Sequence, residues 1–146
     1  MPALVPAAAR NLEAVQAIYG AFATGDVPAI LARLAPAVAW EQWGANSAQA
    51  AGVPWLAPRV GPDEVTTFFT VLGEGLEMHE FAVLDITASD RQAAAEVILD
   101  ATVRATGRRF RDEEVHLWTF DDAGRVTRFR HYTDTAKHIQ AAAPPA

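Results

Sequence analysis

The sequence predicts an α+β domain, with helices first and a curved antiparallel sheet last. Apolar residues at helical spacing are confined to the first half of the chain. Residues 93–133, by contrast, form three consecutive strand-like runs, AAAEVILDATVRA, RRFRDEEVHLWTF and RVTRFRHYT. Only Thr106-Gly107 and the four residues from Asp121 to Gly124 separate them, and connections that short make hairpins. Helices followed by an antiparallel meander bury their apolar stripes by packing on one face of the sheet.

Residues 11–24 carry Leu12, Val15, Ile18, Tyr19 and Phe22 at three- and four-residue intervals, a single helical stripe. Asn11 is placed to cap it and Gly25 to stop it. Asp26 caps a second, shorter helix with Pro28 in its first turn and Ile30, Leu31 and Leu34 inside, ended by Pro36. Residues 37–43 read as a strand, Val38, Trp40 and Gln42 on one face and Ala39, Glu41 and Trp43 on the other. Residues 44–58 are a long connection of the kind that forms lids or binding loops, with Trp55 either covering something apolar or lying on the surface. Gly61, Pro62, Asp63 and Glu64 start a third helix whose stripe is Val65, Phe68, Phe69 and Leu72. A strand over residues 78–87 then turns at Ser89-Asp90-Arg91 into the meander. Asp134 is read as the cap of a short final helix containing Ala136 and Ile139, and residues 1–9 and 141–146 as frayed.

Turn chemistry sets the register of the meander, and register sorts side chains by face. With Ala105 opposite Arg108 and Phe120 opposite Arg125, one face carries Val97, Leu99, Ala101 and Val103. Asp112, Glu114, His116 and Trp118 share it, as do Thr127, Phe129 and His131. Glu114 then lies across from His131. The other face carries Glu96, Ile98, Asp100, Val115, Leu117, Arg128, Arg130 and Tyr132.

At 146 residues the chain is most simply one domain, and 51% hydrophobic residues exclude a mainly disordered one. A net charge of −6 argues against nucleic-acid binding, for which a basic face is needed. Arginines 104, 108, 109 and 111 are read as a solvated hairpin tip. The absence of cysteine removes disulfides and thiol nucleophiles, and no apolar run approaches the ~20 residues of a membrane span. A soluble cytoplasmic protein is expected.

In four stretches the chain resembles the NTF2-like superfamily, in particular its SnoaL-like branch of polyketide-cyclase and ketosteroid-isomerase relatives. These are YGAFATGD at residues 19–26, AWE at 39–41, GPDEV at 61–65, and GRVTRFRHYTD at 124–134. The resemblance implies a cone in which helices close an apolar pocket against the concave sheet face, usually without metal or cofactor. It also implies homodimers formed through the outer sheet face, here Ile98, Val115 and Leu117. Family residues carry over only in part. The first-strand carboxylate base of ketosteroid isomerases falls at Gln42, their helix-1 tyrosine at Ile18 beside Tyr19, and their second cavity acid near His116. Limonene-epoxide hydrolases are similar at Trp40 and Gln42. Their water-activating carboxylate falls at His131, however, and their Arg/Asp pair at Val97 and Leu99.

The chain's own polar set is therefore what matters. His131 is the candidate general acid or base, because imidazole titrates near neutrality. Glu114 is expected to fix its tautomer, and His116 to donate a hydrogen bond to a carbonyl or enolate oxygen. Trp40 and Gln42 are expected to orient substrate, with Tyr19, Phe22, Phe81, Leu99, Trp118 and Phe129 as apolar walls. Asp112 is read as a rim residue, and His79 and His138 as surface residues. Two functional readings stay open. One is a cofactor-free enzyme moving a proton on an apolar, ring-containing small molecule by isomerisation, cyclisation, dehydration or epoxide hydrolysis. The other is a non-catalytic ligand-binding or dimerisation module. Two histidines and a carboxylate also match a metal triad, but the family's pocket enzymes usually lack one, so no metal is expected. A cavity of a few hundred Å³ beside His131 would suit a small-molecule ligand.

Overall fold

Alternation of large apolar and polar residues makes the two central strands of the sheet half-buried along their whole length. In β4 (Gln92–Val103) and β5 (Arg109–Phe120) every second residue is buried. The inward set on β5 is Phe110, Asp112, Glu114, His116, Trp118 and Phe120. The computed structural model describes residues 6–144, and the expected fraying of residues 1–5 and 145–146 lies outside them.

The helices cover this face. α1 (Ala7–Ala23) packs on β3 (Leu76–Ala88) and β4, burying Ala14, Val15 and Ile18. α4 (Gly61–Gly75) packs on β1 (Leu34–Trp40) through Val65 and Phe68, with Pro and two acids in its first turn. Each such apolar side chain removed from water contributes about 1.5–3 kcal/mol. Between them lies α2 (Val27–Leu31), capped by Asp26, whose carboxylate accepts from the Ala29 N–H at 3.2 Å. The long connection folds into α3 (Ser47–Ala50), a 3₁₀ turn (Pro54–Leu56) and β2 (Arg59–Val60). Trp55 is buried there. β6 (Val126–Tyr132) and α5 (Thr135–Ala142) complete the chain. No helix is long and apolar enough to cross a membrane among the described residues.

The sheet runs β2-β1-β6-β5-β4-β3. It is mixed rather than purely antiparallel, because β1 pairs parallel with β6. Several expectations shift. Asn11 is not a cap: α1 starts at Ala7, and Asn11 is buried, donating its amide to the Ser89 and Asp90 carbonyls at 3.1 Å. Residues 7–9 and Ala141–Ala142, expected to fray, are helical. The second helix stops before Leu34, and Pro36 sits inside β1. It falls in the irregular stretch between Leu34 and Ala39, where the ladder does not need its missing N–H.

Register differs from the turn-based expectation by two residues in both hairpins, so every side chain keeps its face. The β4–β5 ladder ends at Thr102 and Arg109, and a bulge between Thr119 and Phe120 moves β6 along β5. The consequence for the site is specific: His131 lies opposite His116, not Glu114.

Candidate active site

Strand alternation points Glu114, His116 and Trp118 from β5 and Phe129 and His131 from β6 at the helices. The imidazoles of His116 and His131 meet edge to face with centroids 4.6 Å apart. Trp40, at the end of β1, lies against Phe129 at 4.1 Å, and Phe129 against Trp118 at 4.3 Å.

The carboxylate that holds His131 is Glu41, not Glu114. β1 ends at Trp40, and Glu41 adopts φ 59, a left-handed conformation that a residue with a Cβ rarely takes. That turn swings its side chain inward to full burial. Two bonds to the Glu41 backbone hold the turn: its N–H donates to the Phe129 carbonyl at 2.9 Å, and its carbonyl accepts from the Gln49 side-chain amide at 2.6 Å. Glu41 Oε1 then accepts from the His131 backbone N–H at 2.7 Å and from Nδ1 at 2.6 Å. With Nδ1 engaged, Nε2 has no partner among the described residues and His131 lines the cavity. Burial opposes charge on this ring, but Glu41 outweighs it and raises the His131 pKa. Sequence pattern placed Glu41 on the outer face. The only local hint is an acid between two tryptophans in an apolar run, and nothing there signals a positive φ.

His116 is satisfied at both nitrogens. Burial depresses its pKa, so the ring is neutral. Its Nε2–H donates to Glu114 Oε1 at 2.9 Å, and Nδ1 accepts from the Tyr19 hydroxyl at 2.7 Å. Tyr19 in turn accepts from the Trp118 indole at 3.1 Å, and burial raises its pKa. The expected role of His116 as a free donor to substrate is therefore not what the arrangement offers.

Behind Glu114 lies a second buried cluster, formed where α5 docks on β5. His138, expected on the surface, is 1% exposed, and Asp112, expected at the rim, is equally buried. His138 Nε2 lies 2.7 Å from Asp112 Oδ2 and 3.2 Å from Glu114 Oε2, and its Nδ1 accepts from the Trp55 indole at 3.0 Å. Burial opposes protonation of His138, while hydrogen bonds to Asp112 and Glu114 favour it. A second proton on Nδ1 would face the indole N–H, donor against donor, so the hydrogen-bonded arrangement is the neutral Nε2–H tautomer. Burial works against charge on Glu114 too, yet hydrogen bonds from His116 and His138 hold it well below the usual carboxylate range. Burial raises Asp112, and its hydrogen bond with Glu114 adds to that. Asp134 occupies the cap position of α5 without a side-chain cap, its N–H donating to Asp112 instead.

Two sets of side chains bring potential metal-ligand atoms within 4.8 Å of one another: Glu114, His116 and His131, and Asp112, Glu114 and His138. Neither is arranged as a coordination sphere. In the first, Glu114 and His116 bond each other, and only His131 has a free nitrogen. In the second, the outer nitrogen of a ligating histidine should donate, whereas Nδ1 of His138 accepts.

Of the residues expected at the site, Tyr19, Phe22, Trp40, Phe81 and Leu99 line one cavity together with Glu114, His116, Trp118, Phe129 and His131. Gln42 does not; its amide donates to the Arg59 carbonyl at 3.1 Å, because the strand ends before it. The cavity holds about 60 Å³, well below the few hundred expected, since the aromatic rings fill most of the cone. A depression of about 340 Å³ lies outside it and shares the half-buried Phe22, Phe69, Leu72 and Met78.

The SnoaL-like domain family matches residues 15–129. No curated protein matches the chain. Among solved structures, an NTF2-like protein of unknown function from Burkholderia pseudomallei is 29% identical, with TM-score 0.76 over 92% of this chain and 98% of that one. An NTF2-like protein from Burkholderia thailandensis is 27% identical, with TM-score 0.78 over 92% and 98%. An LEH-like epoxide hydrolase from M. tuberculosis is 19% identical, with TM-score 0.67 over 93% and 91%, a likeness of fold alone.

Proposed function

The chain belongs to the SnoaL-like domain family, and from that premise we propose that it is a cofactor-free acid–base enzyme for a small, apolar, ring-containing molecule. The observation that carries this is the Glu41–His131 pair. Its carboxylate is fully buried, its Nδ1–H···Oε1 bond is 2.6 Å, and Nε2 is left free on the wall of a mostly apolar cavity. Glu41 fixes the tautomer and favours the charged ring, so Nε2–H is the proton available to a substrate near neutral pH. A positioned imidazole of this kind accelerates proton transfer by about 10²–10⁴-fold. Isomerisation, aldol-type cyclisation, dehydration and epoxide opening all draw on that step. A ring-sized ligand enters when Phe22, Phe69, Leu72 and Met78 swing aside and join the inner cavity to the outer depression.

The test is a panel of apolar epoxides, β,γ-unsaturated ketones and β-hydroxy ketones, assayed with wild type and His131→Ala. One class should be turned over, with the variant losing at least about 10²-fold in kcat while binding ligand within a few-fold. Equal turnover by both proteins would remove His131 from the chemistry. The small volume of the ligand-free cavity favours a second reading, a non-catalytic module of the same fold; no turnover of any class would select it.

A homodimer through the outer sheet face and a cytoplasmic location belong to the same proposal. Val115 and Tyr132 are 42% and 39% exposed there. Arg128 and Arg130 of β6 lie on one side of Val115 and Leu117, and Glu96 of β4 on the other. A two-fold axis through Val115 and Leu117 sets acid against base. Sedimentation of wild type and Leu117→Asp tests it: the wild type should be a dimer and the variant a monomer.

A further inference from the structure

We infer that the cavity is built for a ligand whose one polar group is a carbonyl-type oxygen, and that the Trp40 indole N–H is one of two donors that hold it. This rests on the acid–base reading of His131, whose Nε2–H is the other donor. The chain has four tryptophans. Three of their indoles have acceptors: Trp43 to Glu41 at 3.4 Å, Trp55 to His138 at 3.0 Å and Trp118 to Tyr19 at 3.1 Å. Trp40 alone among them is buried with Nε1 unpartnered. A buried donor without an acceptor is costly, and phenylalanine would pack there without that cost. The indole therefore has a use that the empty protein does not show.

Trp40 and His131 border the same stretch of cavity wall. Phe129 lies 4.1 Å from the Trp40 ring and 4.5 Å from that of His131. Phe68 lies 5.2 and 6.0 Å from the same two rings. The other polar groups of the wall are already occupied. The Tyr19 hydroxyl is bonded to His116 and Trp118, His116 is bonded at both nitrogens, and Glu114 takes bonds from His116 and His138. What remains unpartnered is two N–H donors in a mostly apolar space. A carbonyl or epoxide oxygen, with two lone pairs and no hydrogen, satisfies both.

Cyclohexanone and methylenecyclohexane have the same shape, with C=O in one where the other has C=CH₂. Titrated into ¹⁵N-labelled protein, the ketone should move the Trp40 indole resonance downfield and bind about tenfold more tightly than the alkene. In Trp40→Phe, which keeps the ring, the preference for ketone over alkene should shrink several-fold while alkene affinity holds. Equal binding of ketone and alkene, or ketone binding that leaves the Trp40 indole unmoved, overturns this inference and leaves the role of His131 standing. If neither compound shifts the Trp40 or Trp118 indole, the cavity does not admit rings, and the inference and the proposed function fall together.

Discussion

Glu41→Gln isolates the interaction on which the proposed chemistry depends. The substitution preserves shape and leaves an oxygen to accept from the His131 backbone N–H, but it removes the negative charge facing the imidazole. In the wild type that charge outweighs burial and raises the His131 pKa, with Glu114 helping and His138 opposing. Without it, burial dominates and the His131 midpoint falls below that of the wild type. A histidine whose folded pKa is raised contributes stability that is full below its unfolded value, ~6.5, and is lost as pH rises through the folded value. The 2.6 Å bond at the fully buried carboxylate is charge-assisted, so its loss should cost about 1.5–3 kcal/mol near pH 6. For a chain of this length that is a melting temperature roughly 5–10 °C lower. Above the raised folded pKa of His131 both proteins hold a neutral ring and the difference should shrink to about 1 kcal/mol or less. Thermal melts at pH 6, 7.5 and 9, with the His131 Cε1–H resonance followed by NMR, provide the assay. An unchanged His131 midpoint, or a loss of stability equal at every pH, would refute the reasoning.

Other substitutions probe the network behind it. His138→Ala removes one of the partners of Asp112 and the acceptor of the Trp55 indole. It should cost about 2–4 kcal/mol by urea denaturation and speed amide exchange in residues 135–142. Asp112→Asn should do the opposite at high pH. Burial first, then Glu114, raises the Asp112 pKa, so the wild type loses stability as pH rises from the ordinary aspartate value through the raised one. Asparagine keeps an acceptor for His138 and donates to Glu114 permanently, so the variant should equal or exceed wild-type stability at pH 8 and lose that advantage below pH 4. Clear destabilisation at pH 8 would contradict the raised pKa. Gly124 has φ 83, and a Cβ there would sit 2.8 Å from Arg10 Nε. Gly124→Ala should therefore cost about 1–3 kcal/mol in the same denaturation.

How far the sequence could be read depended on which forces set each position. The inward faces of β4 and β5 were legible because a period of two and short turns agree over long strands. A register error of two residues does not disturb that parity, so His116 and His131 point inward as expected. Between β5 and β6 the difference comes from a turn that pairs Phe120 with Val126 rather than Arg125 and from a bulge between Thr119 and Phe120 that no glycine marks. It was enough to assign His131 the wrong acid. Glu41 was missed because its placement comes from a left-handed turn braced by Phe129 and Gln49, both far along the chain or across the loop. His138 looks like any polar residue on a short surface helix. Its burial becomes favourable only once Asp112, Glu114 and Trp55 converge on it. Gln42 was misjudged for the simplest reason, that the strand stops two residues earlier.

The parallel pairing of β1 with β6 joins the opening of the sheet to its final strand, and so joins Glu41 to a histidine 90 residues away. Contacts of such long sequence separation form late, after loop closure has been overcome. During synthesis Glu41 emerges as a hydrated carboxylate with no imidazole to meet. The Glu41–His131 pair thus closes only when β6 joins β1, and a chain truncated before His131 lacks it even though it displays the apolar helices.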